Sequence, residues 1–368
     1  MSAKRIEYID IAKGIGILLV ALAHADISLF SPYLHKFIYS FHMPLFFFLS
    51  GYFFNPETPF WTLLKKRFNS ILKPYFVTIA LIYIASLSFT NMRFMNAFGR
   101  ILKSLYGTGY YIDWVQLWFL PSLFVTSLFA FIFYRAVLIH IDNRYVRWLI
   151  LLGVQTVALL FLDRFYPFSI SLLGKDYELY GLPFNLDLAL LSGFFYIMGN
   201  EIRHTISEKI FGNLWILLGT GGALILLTSL FEQRVDFNTR VFESFSINTA
   251  EAILGILLAL AVSKQIELRT THLANALKYI GQASLFILIF HVPIQEYWAP
   301  KLFFVTEMQA LSILSAFVIS VLISLGIYRI FFERNPIALF WYGRISSPPK
   351  KDKPPTESIQ SVEQKFPE

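Results

Sequence analysis

The sequence predicts an all-α integral membrane protein, a polytopic bundle of about ten transmembrane helices with N- and C-termini in the cytoplasm. Three observations lead there. Hydrophobic residues make up 56% of the 368 positions, aromatic residues 18% and charged residues only 15%, a balance that a soluble domain does not carry. Apolar stretches of about 16 to 22 residues recur from end to end, each long enough to cross a hydrocarbon core about 30 Å thick as a helix. The 31 Lys and Arg residues are unevenly spread: with the N-terminus inside, about 22 fall in segments expected inside and about 9 in segments expected outside. The same bias accounts for the net charge of +7, so the basic balance needs no nucleic-acid partner.

The first span covers about 9–30. Lys13 and His24 interrupt its apolar run and no small-residue cleavage pattern follows, so it reads as a retained helix and not as a secretory signal. The second span, 37–54, contains His42-Met43-Pro44, where proline is expected to kink the helix. Before the third span, 74–89, the stretch from Trp61 to Lys73 is basic and amphipathic, as suits a cytoplasmic membrane surface. Further spans are expected at 117–137, 148–163, 186–202 and 214–231. The eighth, 249–264, opens on Asn248-Thr249-Ala250-Glu251; the ninth, 279–296, carries His291 and Pro293; the tenth, 309–332, stops at Glu333-Arg334-Asn335-Pro336. Residues 1–335 thus read as one membrane domain, and 336–368 as a cytoplasmic, disordered tail that is polar and proline-rich toward its end. No internal repeat is visible, which argues against a typical secondary transporter.

Function should reside in the ionisable side chains within the spans, because each costs several kcal/mol in hydrocarbon unless it meets a partner, a cavity or a substrate. Lys13 and His24 form the most informative pair. Eleven residues at about 100° each return to within about 20° of the same helix face, about 16 Å further along. One stripe therefore carries a cation near the cytoplasmic end and an imidazole near mid-membrane. Asp10, three residues before Lys13, can pair with it and fix its orientation. Gly14 and Gly16 thin the helix beside them for a close neighbour or ligand. The plainer alternative has Lys13 snorkelling to headgroups and His24 packing as a hydrogen-bonded core residue.

Acyl transfer from a coenzyme A thioester makes matching demands. The donor has an anionic, phosphorylated head in the cytoplasm and a long thin arm, so cations are needed at the inner rim and a proton acceptor where the thioester ends. Lys13 and His24 lie in that order, and an imidazole can take the proton of a sugar hydroxyl as it attacks.

These residues resemble the membrane acyltransferase-3 family, whose members include polysaccharide O-acetyltransferases and fucose 4-O-acetylase-like proteins, over most of the first 335 residues. The most specific element is a basic residue, ten residues, then histidine in the first helix, matched by Lys13 to His24 within Tyr8-Ile9-Asp10-Ile11-Ala12-Lys13-Gly14. The second is Phe46-Phe47-Phe48-Leu49-Ser50-Gly51-Tyr52, followed by Lys65-Lys66-Arg67-Phe68 and Lys73-Pro74. Gln116-Leu117-Trp118-Phe119-Leu120 and Gly281-Gln282-Ala283-Ser284 with His291 are similar to weaker signatures. The family carries arginine in many members where this chain has Lys13, and an ammonium is a point charge without the bidentate fork. The resemblance implies that His24 is the essential histidine and that Lys13, Lys66, Arg67 and Lys73 hold donor phosphates; Asp10, placed beside Lys13 by its spacing, is the second catalytic candidate.

His42, Ser50, Trp118, Glu251 and His291 are the candidates for substrate contact. Four of these have a structural alternative: Ser50 lets helices pack beside Gly51, Glu251 meets the dipole of a helix start, and His42 and His291 lie close to prolines that could set them at interfaces. Acceptor specificity is expected in the long outer loops, 90–116 and 163–185, where Tyr106, Tyr110, Tyr111, Trp114, Tyr177 and Tyr180 could equally form an interfacial belt. With no cysteine, thiolate metal sites and a Cys nucleophile are excluded, and no pair of ligands at metal spacing shares a helix face. The expected protein is an O-acetyltransferase of the bacterial inner membrane, with acetyl-CoA as donor, no metal, and a carbohydrate or lipid-linked glycan as acceptor. A glycan exporter or flippase of the same fold is the rival.

Overall fold

The computed structural model describes residues 6–89, 93–172, 174–333 and 335–342. Helix α1 (Glu7–Ala23) buries Tyr8, Ile9, Ile11 and Ala12 completely, so it faces protein where an outer helix would face lipid. It ends earlier than expected. His24 caps it, and Asp26 takes a left-handed conformation with φ of 57°, which a short polar side chain tolerates better than most. The expected second span is likewise two pieces: after α2 (Ile27–Phe30), α3 (Pro32–Tyr39) breaks at Ser40-Phe41 before α4 (His42–Tyr52) begins. Pro44 falls in the first turn of α4, where its missing N–H costs no intrahelical bond and no kink results.

The basic segment forms α5 (Phe60–Arg67), which continues through one π turn into α6 (Lys73–Phe89). Then follow α7 (Phe94–Ser104), α8 (Phe119–Ala136), α9 (Arg144–Phe161), α10 (Ala189–Thr205) and α11 (Leu214–Leu230). Helix α12 (Phe245–Arg269) is the longest, and α13 (Thr271–Gln282) meets α14 (Ser284–Thr306) at a bend of 77° within the expected ninth span. Helices α15 (Gln309–Ile327) and α16 (Pro336–Tyr342) complete the set. Residues 336–342 of the expected tail are therefore helical, packed beside α6, and 343–368 lie outside the described residues.

Two small antiparallel hairpins decorate one end: β1 (Phe168–Leu172) with β2 (Lys175–Leu179), and β3 (Val235–Asp236) with β4 (Val241–Phe242). Among the described residues, five helices are long and apolar enough to cross a membrane, or six if the bent α13–α14 pair is one span. The chain is a multi-pass, all-α membrane protein. The central helices α1, α4 and α10 are shorter than those five, and they make their contacts with protein.

Backbone crossings hold that centre together. A Cβ on Gly14 would lie 2.2 Å from the Leu277 carbonyl oxygen, and one on Gly281 would lie 2.3 Å from that of Asp10. Helices α1 and α13 thus touch backbone to backbone, the close neighbour that Gly14 foretells. Gly51 and Gly199 do the same for α4 and α10. Such contact is available only to helices with small residues at the crossing.

Candidate functional site

His24 sits where α1 ends, with its ring partly accessible. It lines two cavities. The smaller, about 80 Å³, also involves Tyr39, His42, Met43, Trp118, Asp236 and Asn238. The larger, about 420 Å³, runs past Asp26, Gln295 and Glu296. The residue therefore borders two cavities lined by both polar and apolar side chains. His42 and Trp118 meet His24 in the small cavity, bringing together three expected site residues from three elements.

His291 stands behind them. Its ring centroid is 5.3 Å from that of His24, with the planes 61° apart. Its Nδ1 donates to the carbonyl oxygens of Ile287 (2.7 Å) and Leu288 (3.0 Å). A carbonyl can only accept, so Nδ1 carries the proton and Nε2 is left as an acceptor. That Nε2 is buried without a partner. His42 is fixed the same way, its Nδ1 donating to the Ile38 carbonyl at 3.0 Å. Asn238 Oδ1 and Gln295 Oε1 are further buried acceptors without a partner, one in the wall of each cavity. Buried acceptors are seldom left unmatched, and together these suit a hydroxyl-bearing ligand.

Gln295 also ties the site to α1, its Nε2 donating to the Ala21 carbonyl (2.8 Å) and to Ser320 Oγ (3.0 Å). It lies one helical turn beyond His291, a polar residue in an apolar run, and that signal was present in the sequence. Asp236 and Asn238 gave no such signal, since they arrive on a two-residue hairpin more than 200 positions from His24.

At the other end of α1, Lys13 Nζ is 4.0 Å from an Asp10 carboxylate oxygen and 5.1 Å from the Phe53 ring centre. Arg203, which the sequence did not mark, donates to the Tyr52 carbonyl at 3.2 Å and lies 5.4 Å from the same Phe53 ring. Arg67 donates from Nη2 to Tyr196 Oη at 2.6 Å, while its buried Nε has no partner, and the Tyr196 ring packs on Phe54. Three cations thus bracket residues 52–54. A neighbouring cavity of about 550 Å³ adds Arg144, Arg147 and His204.

The remaining expectations distribute less tightly. Lys66 is exposed on α5. Lys73 donates to the Phe340 carbonyl at 2.6 Å and lies 3.6 Å from that ring's centre, contacts with α16 that phosphate binding would have to break. Ser50 is half-buried two residues before Tyr52, at the Lys13 end of α4. Glu251 does not start its helix, because α12 begins six residues earlier, at Phe245. Its buried carboxylate meets Asn248 Nδ2 at 3.4 Å and keeps one oxygen without a partner. Neither Ser50 nor Glu251 lines the two His24 cavities. Among the described residues, no group of three or more His, Asp or Glu could hold a metal ion.

Comparison with curated proteins and with solved structures found no match. The model of a protein family described as an acyltransferase domain matches residues 6–329, from the start of α1 through α15. That match embraces both ends of the Lys13 to His24 stripe and every element that reaches His24, and the chain accordingly belongs to the membrane acyltransferase-3 family.

Proposed function

We propose that the protein is an O-acyltransferase of the bacterial inner membrane that moves an acyl group, acetyl above all, from cytoplasmic acyl-CoA to a hydroxyl of a cell-envelope carbohydrate. The observation that carries this reading is the position of His24, a ring at the meeting of two polar cavities on the helix that also carries Lys13. The sugar hydroxyl oxygen attacks the thioester carbonyl carbon and gives its proton to His24 Nε2 or Nδ1. The tetrahedral adduct collapses, the carbon–sulfur bond breaks, and the departing coenzyme A thiolate takes the proton back from His24, so that ester, free thiol and neutral imidazole result.

Lys13, Arg67 and Arg203 supply cations for the donor head at the inner rim, as charge-assisted hydrogen bonds to phosphate require. With that end inside, the cation-rich rim obeys the positive-inside bias and both termini are cytoplasmic. A flippase of the same fold would need the polar stripe but not the base. Purified protein supplied with radiolabelled acetyl-CoA and an envelope glycan, compared with His24→Ala, tests the proposal. Label transfer by the wild type and its loss in the variant is the expected result, and equal labelling in both would defeat the mechanism.

A further inference from the structure

A further cavity, about 630 Å³, lies between α3 and the segment 228–241. Tyr39, Val235 and Asp236 line both it and the small cavity at His24, so the two spaces share a wall made by α3 and the β3–β4 hairpin. The large one has room for a sugar ring. The small one has room for a hydroxyl group and little more.

The lining chemistry is specific about charge. Both cations are already committed. Lys36 Nζ donates to the Thr228 carbonyl at 2.7 Å and also to that of Phe231, closing the C-terminus of α11 where backbone acceptors are otherwise unmatched. The Arg234 amide and guanidinium are taken by Glu243, at 2.8 and 3.1 Å. The rest of the lining includes the stacked pair His35 and Tyr39, with ring centroids 4.1 Å apart, together with Gln233, Glu232 and Asp236. Burial lowers the His35 imidazole from its ordinary pKa, against the opposing charge of Asp236, and so favours its neutral form. Aromatic faces suit the C–H face of a sugar, and acceptors suit its hydroxyls. An anionic sugar would meet two carboxylates, Glu232 and Asp236, against one ammonium, Lys36, which is already held by two backbone carbonyls.

We propose that this cavity is the acceptor subsite, that it takes the ring of an uncharged sugar, and that Asp236 binds hydroxyls beside the one presented to His24. This deepens the acyltransferase reading and rests on it for the role of His24. The binding of the sugar does not.

The experiment uses the absence of cysteine from the chain. Ser229→Cys, on the exposed wall, is labelled with a maleimide in the full protein, with Thr239→Cys as a second reporter should the first fail to fold. Methyl glycosides of neutral hexoses and 6-deoxyhexoses are compared with methyl hexuronides as protecting probes. With one neutral glycoside at about ten times its Kd, labelling slows about tenfold. Asp236→Asn, which keeps the oxygen that accepts from the Asn238 and Thr239 amides, raises that Kd about tenfold. Protection that no neutral glycoside gives, or that hexuronides give equally, overturns the proposal. The measurement is repeated in a His24→Ala background, where protection is expected to persist. Transfer that fails while protection holds would strike the mechanism and leave the subsite standing, and the reverse would strike only the subsite.

Discussion

The rings of His24 and His291 meet edge to face, 5.3 Å between centroids, on helices α1 and α14 that Gln295 hydrogen-bonds together one turn away. The unpartnered Nε2 of His291 is held by two carbonyls at Nδ1 and cannot turn freely. A ring so fixed is suited to orient its neighbour. His24→Ala is expected to lower kcat by about 10²- to 10⁴-fold, the worth of a positioned proton acceptor. His291→Phe preserves the ring contact and removes Nε2, and is expected to lower kcat several-fold with KM for acyl-CoA unchanged. Steady-state transfer assays read both, and a His291→Phe enzyme with wild-type kcat would reduce that histidine to packing.

The cations at the opposite end should act on donor affinity. Hydrogen bonds to charged groups contribute about 1.5–3 kcal/mol each, so Lys13→Ala, Arg67→Ala and Arg203→Ala are each expected to raise KM for acyl-CoA by about tenfold or more. Arg67→Lys should recover only part of the loss, since an ammonium lacks the planar fork. Inhibition by free coenzyme A should weaken in parallel and with rising salt. A KM unchanged in Arg203→Ala would remove that residue from the donor end, whatever its contact with Tyr52.

Much of this was legible in the sequence, and the limit has a physical cause. Spacing along one helix is local information, and Gly14 marked a crossing that α13 supplies. Spans were legible wherever the apolar run and the helix coincide, as in α8, α9 and α15. The run through 279–296 hides a 77° bend because apolar composition does not change at Ala283. Likewise Glu251 looked like a helix start because the residues before it, Phe245 to Asn248, are not all apolar, although Ser244 caps the helix from its side chain. Arg203, Asp236 and Asn238 join the site only through tertiary contact, and no local pattern distinguishes them from ordinary loop and helix-end residues.

The α4–α10 crossing should be intolerant of any side chain. A Cβ on Gly51 would stand 1.8 Å from the Tyr196 carbonyl oxygen, and backbone cannot rotate away as a side chain can. Gly51→Ala is expected to destabilise by about 1–3 kcal/mol or more through forced separation of the helices. It should also disturb Arg67, whose Nη2 bonds Tyr196. Thermal unfolding in detergent and KM for acyl-CoA check the two halves. Gly153→Ala on α9, which has nothing within 4 Å of the added Cβ, is the control and should change neither.

The hairpin over His24 is anchored by a buried ion pair, and its removal offers a further separable test. Arg240 donates from Nε to Asp187 Oδ2 (2.7 Å) and from Nη2 to Asp187 Oδ1 (3.1 Å), with Nη2 also reaching Asn185 Oδ1 (2.9 Å). Both side chains are within 1% of complete burial. The bidentate pair thus joins the hairpin to the residues leading into α10, and Asn185 carries the link on to the Gly107 and Trp118 carbonyls. Removing one partner leaves an uncompensated buried charge, so Arg240→Met or Asp187→Leu alone should cost about 3–5 kcal/mol. The double variant should recover much of that stability, because two apolar residues leave no charge behind. It would not recover geometry: the apolar pair lacks the fork that sets the hairpin over His24, so transfer should remain depressed while the melting temperature returns. A double variant that regained full activity would show that Arg240 and Asp187 hold the fold alone and that Asp236 and Asn238 find their places without them.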